Sequence, residues 1–133
     1  MFAKTQMISI SFAFPDVCWV ITAAGPITTP LVNFAFSTLA IPNVFNIFIS
    51  AMPVHNLLTE TPISSGDELG APTGGVVSAR FIGEMRNVLS SFRTYFSCIP
   101  CTRMLDMSAQ NGLASNIVGV NLSPSQVKVM VLS

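Results

Sequence analysis

The chain has 133 residues, a formal net charge of zero, half of its residues hydrophobic and only 9% charged. That length fits one domain covering residues 1–133, able to hide about two thirds of its unfolded surface. Six scattered Lys and Arg exclude a phosphate-driven nucleic-acid interface, and a surface well short of the ~25% charge of ordinary domains is expected to associate with another protein.

In chain order, Met7–Phe14 comes first. Ile8, Ile10, Phe12 and Phe14 share one face, and Ser9, Ser11 and Ala13 share the other, the period-two signature of a half-buried strand. The same stretch lacks the continuous apolar block of a signal peptide. Synthesis in the cytosol without general export is therefore expected. Residues 17–59 carry no Asp, Glu, Lys or Arg. The best window there for a membrane span, Asn33–Ala51, is broken by Pro42 and holds Asn43 and Asn46, so stable membrane insertion is not expected. Within it, Asn33–Ser37 and Val44–Ser50 read as short strands. Ser64–Ser78, with Gly66, Gly70, Gly74 and Gly75, reads as a long turn-rich loop. Arg80–Phe96 fits either a short helix around Glu84–Ser91 or two strands. Asn111-Gly112 is a turn dipeptide, and Val127, Val129 and Val131 mark a last alternating strand. Nine prolines punctuate these pieces. The sum is a mostly β domain of short strands and long turn-rich loops with little helix.

Cys18, His55, Cys98 and Cys101 are every cysteine and the only histidine. Three thiolates and one imidazole suit a closed, structural zinc site, and Cys98-Ile99-Pro100-Cys101 offers a two-ligand bite from a tight turn. The same residues equally fit buried thiols acting as small apolar groups beside a hydrogen-bonded imidazole. Asp67 and Glu68 are adjacent carboxylates in the Gly-rich loop and read as a solvated turn. The alternative is a small zinc enzyme or toxin using Asp67 or Glu68 as base near a metal held by Cys98 and Cys101. No Gly-x-Ser-x-Gly element accompanies the single histidine, and no Gly-Lys-Ser/Thr follows the glycines. The C-x2-C pair lacks the βαβ context of a redox motif. No catalytic residue is assigned. The ten phenylalanines, without interleaved basic residues, read as core.

Three blocks lie in a telling order: Phe14-Pro15-Asp16-Val17-Cys18, then Ser64-Ser65-Gly66-Asp67-Glu68-Leu69-Gly70 through Gly74-Gly75-Val76-Val77-Ser78, then Ser123-Pro124-Ser125-Gln126-Val127-Lys128-Val129. With Arg103-Met104-Leu105-Asp106-Met107 and the following Asn111, they resemble the PAAR-like family, whose members cap the spike of the bacterial type VI secretion system. The resemblance runs from about Ser9 to Leu132, although the Pro-Ala-Ala-Arg tetrapeptide behind the family name is absent. It implies a small cone of short strands that sits, one per trimer, on a VgrG-type β-helical spike protein. Such a tip pierces the target envelope and helps present effector proteins, in some cases through adaptors. It waits in the bacterial cytoplasm and leaves through the type VI apparatus. Metal-bearing relatives hold their ion near the tip, which makes structural zinc the expected cofactor here. At this length any toxic cargo is expected to be a separate chain.

Overall fold

Alternation does produce strands, but it turns them over. A computed structural model describes residues 1–133. It contains β1 (Ile10–Thr22), β2 (Gly25–Phe36), β3 (Val44–Ile49), β4 (Met52–Val54), β5 (Glu60–Thr61), β6 (Met85–Asn87), β7 (Tyr95–Phe96), β8 (Ile99–Pro100), β9 (Met107–Gln110) and β10 (Ile117–Asn121). Helix is confined to two 3-10 turns, Ser37–Leu39 and Glu68–Gly70. Six strands form one antiparallel sheet in the order β2-β1-β10-β9-β6-β5, while β3–β4 and β7–β8 are separate hairpins. Arg80–Phe96 thus resolves into two short strands and no helix. No helix is long and apolar enough to cross a membrane.

The long β1–β2 hairpin is in register from Ile10↔Phe36 to Thr22↔Gly25, and the cross-strand rings of Phe12 and Phe34 stand 5.4 Å apart. The register shifts between Ala13 and Asp16, where the Phe14–Pro15 bond is cis and Pro15 has no N–H to donate. Such a bulge re-aims the side chains after it. Before it the odd-numbered Ser9, Ser11 and Ala13 are buried; after it the even-numbered Asp16 and Cys18 are. Pro26 and Pro30 lie inside β2, which tolerates them because it is an edge strand.

The inward face of β1 is the small polar one. Ser9, Ser11 and Ala13 are at most 2% exposed, whereas Ile8 and Phe14 are 67% and 57% exposed. The inversion is general. Of 41 buried residues, 24 are polar or charged and 12 are apolar, so hydrogen bonds line most of the interior. Seven of the 12 buried apolar residues form one cluster, Ala3, Val44, Ile49, Val54, Phe96, Cys101 and Val131. The phenylalanines do not build the core as expected: only Phe96 is buried, while Phe45, Phe48 and Phe92 are exposed.

The expected strand at Val127–Leu132 does not form either. Gln126 takes over its backbone: Oε1 accepts from the N–H groups of Lys128 and Val129, and Nε2 donates to the carbonyls of Ala3 and Val129. A buried side chain therefore fixes this segment as a turn, and only the bridge Phe2↔Met130 remains.

Candidate functional site

Beyond its bulge, β1 loses one neighbour. Its pairing with β10 covers only Ser11 and Phe12, which leaves the Asp16–Thr22 half with a free edge. The Gly-rich loop fills that edge. Trp19 N–H donates to Gly74 O at 2.9 Å, Val76 N–H donates to Val17 O at 3.0 Å, and Cys18 bridges Gly75. Gly70 presses closest. A Cβ there would lie 2.9 Å from Cys18 Cβ and 3.4 Å from its Sγ, so a larger residue would displace the thiol. The same loop carries Asp67 inward.

Asp16, Cys18 and Asp67 meet at this junction. All three are 0% exposed, and their ligand atoms lie within 4.8 Å of one another. Asp16 is well supplied with donors: Asn33 Nδ2 at 3.0 Å, Asn111 Nδ2 at 3.1 Å and Asn116 Nδ2. Asn116 also donates to Val17 O, and Asn111 Oδ1 accepts from Gly83 N–H. Asp67 has less, the backbone N–H of Ile82 at 3.1 Å from each oxygen. Asn33 is fully buried, yet its Oδ1 has no partner.

The electrostatics follow from burial. The Cys18 thiol is pushed up to about 12, by desolvation first and then by the carboxylates of Asp16 and Asp67. Desolvation also raises Asp67, opposed by the Ile82 N–H and assisted by Asp16. Two carboxylates and a thiol out of water form a site that favours either protons or a cation. The group can hold a metal ion.

The four expected ligands do not converge. Cys18 stands with the two aspartates. Cys98 is exposed in the turn between β7 and β8, where Ser97 and Cys98 both have positive φ. Cys101 lies in the apolar cluster, where burial raises its thiol. His55 is buried, with Nε2–H donating to Gln6 Oε1 at 2.8 Å. The tight turn that made C-x2-C look like a bite points its two thiols to different surroundings, one wet and one dry. Asp67 and Glu68 also part company. The solvated-turn expectation holds for Glu68, which is exposed and accepts from Gly66 N–H. It fails for Asp67, which the 3-10 turn at Glu68–Gly70 and the Ile82 N–H hold inside.

An inventory of thiols and imidazoles misses the carboxylates and amides that surround Cys18. The available signal was Asp-x-Cys within a strand, which places both side chains on one face, next to a loop block that supplies another Asp.

A second polar network lies deeper. Lys4 Nζ donates to Ser11 Oγ at 3.0 Å and to Asn121 Oδ1 at 2.7 Å, and Asn121 Nδ2 donates to Asn87 Oδ1. Beside it Arg103 and Asp106 form a buried ion pair at 2.9 Å.

A family model described as toxin PAAR-like domain matches residues 9–119, a span that includes Asp16, Cys18, Asp67, Asn111 and Asn116. Neither a curated protein nor a solved structure matches the chain.

Proposed function

The chain belongs to the toxin PAAR-like domain family, and on that premise we propose that it is the tip of a type VI secretion spike, seated one per trimer on a VgrG-type β-helical protein. The observation that carries this reading is the outward turn of the large apolar side chains. Phe14, Met107 and Val118 are each more than 40% exposed and, with Phe12 and Val120, line one shallow groove across β1, β10 and β9. An apolar sheet face of this kind suits the blunt end of a β-helix, whose last rung also leaves apolar side chains and strand edges open. The outer edge of β2, paired only where Phe34 bridges Ser65, and the zero net charge fit the same docking. The role is mechanical, to pierce an envelope and present effectors, without turnover. A base catalyst at Asp67 has little support, since the carboxylate is fully buried.

Co-expression with a trimeric β-helical spike protein tests the proposal. The expected product is a complex with one chain per three spike protomers, which Val118→Asp abolishes while the free protein keeps its circular dichroism spectrum. No complex, or one chain per protomer, overturns it.

A further inference from the structure

We propose that Asp16, Cys18 and Asp67 are ligands of one buried divalent d-block ion of the zinc class, which ties the β1–β2 hairpin to the Gly-rich loop. The proposal is independent of the spike reading. It rests first on placement. Asp16 and Cys18 come from one strand face and Asp67 from a loop more than 45 residues later, yet their ligand atoms sit within 4.8 Å of one another and all three residues are buried. In a tetrahedral zinc site, bond lengths near 2.0–2.3 Å set ligand atoms about 3.3–3.8 Å apart, so the cluster needs only a small contraction.

The second observation is Asn33. Its side chain reaches into the cluster through Nδ2 to Asp16 at 3.0 Å, and on the same amide Oδ1 is buried without a partner. A fully buried amide left half-satisfied against Asp16 marks a cluster whose polar groups are not all compensated by the protein alone. The third is an imbalance of donors. Three amides compensate Asp16, whereas Asp67 has one backbone N–H and the Cys18 sulfur has only contacts of 3.9 Å to Asp16 and Asn111. Like charges this close and this dry require compensation.

The donor set selects the ion. A thiolate with carboxylates suits a borderline or soft d-block cation, whereas calcium and magnesium prefer oxygen alone. On binding, the Cys18 S–H bond breaks, the sulfur–metal bond forms and the proton leaves to solvent, with no change of oxidation state. Every ligand is buried, so the ion is structural. A proton held between Asp67 and Asp16 is the competing means of compensation.

The test is to refold the full chain in cobalt(II) and record the near-ultraviolet thiolate-to-cobalt absorption together with the bound-metal ratio. One ion per chain is expected. The band should persist in Cys98→Ser and Cys101→Ala and vanish in Cys18→Ser. Asp67→Asn should weaken cobalt binding about tenfold or more, since even partners outside the ligand shell cost that much. No band in the parent protein overturns the proposal, as does a band that depends on Cys98 or Cys101. If Cys18→Ser does not fold, unchanged cobalt affinity in Asp67→Asn does the same. Failure to bind a spike protein leaves all these readouts unaffected.

Discussion

Lys4 and His55 are two bases held inside the protein with little to neutralise them. His55 N–H donates to Lys4 O at 3.0 Å, and both side chains are at most 4% exposed. Burial lowers Lys4 from 10.5 to about 7, with Asp106 pulling the other way. Burial, reinforced by the Lys4 charge, lowers His55 from 6.5 to about 3. Both folded values lie below the unfolded ones, so the unfolded chain takes up these protons first as the pH falls. The contribution of His55 is fully present above about pH 6.5 and is lost as the pH drops towards 3. Urea unfolding should therefore show a free energy that declines across that window by about 1.4 kcal/mol per pH unit from this residue. His55→Gln should remove that slope, and an unchanged slope in the variant would contradict the assignment. Residue type alone concealed these roles. Cys18, Cys101 and His55 are equivalent in an inventory of soft ligands, but one joins carboxylates, one packs against Val54 and Phe96, and one donates to a glutamine. What separates them is long-range pairing that no local spacing encodes.

At the scale of elements, β1 was legible from strict alternation, because period two follows from backbone geometry, and β3 from a short run of Phe, Ile and Val bounded by Pro or Asn. The direction of the alternation was not, since hydropathy ranks Ile and Phe as inward and has no knowledge of Asn121 or Lys4 waiting for Ser11. Nor could it show the parity change at Pro15, or Gln126 converting a valine-rich segment into a turn. The β1–β10 contact supplies a sharper check. Gly119 lies where any Cβ would collide with Phe12 O and crowd Ala13 Cβ at 2.8 Å, so these strands approach only because this residue lacks a side chain. Gly119→Ala should cost about 1–3 kcal/mol, as overpacking does, measured by denaturant unfolding. A change near zero would show that the strands can separate without penalty.

For the whole molecule, the arrangement of polar residues inside and apolar residues outside has a thermal consequence. The heat-capacity change of unfolding grows with newly exposed apolar surface and shrinks with newly exposed polar surface. Here many large apolar side chains, among them Ile8, Phe45, Phe92 and Leu132, already face solvent in the folded chain and add little on unfolding. The interior released is rich in Asn, Ser, Thr and Asp. An ordinary domain of 133 residues would give roughly 1.6–2.0 kcal/mol/K at about 12–15 cal/mol/K per residue. Calorimetry on this chain should give clearly less, and a value inside that range would contradict the polar interior. A small heat-capacity change flattens the dependence of stability on temperature, so the fold should hold a nearly constant margin through warming and cooling.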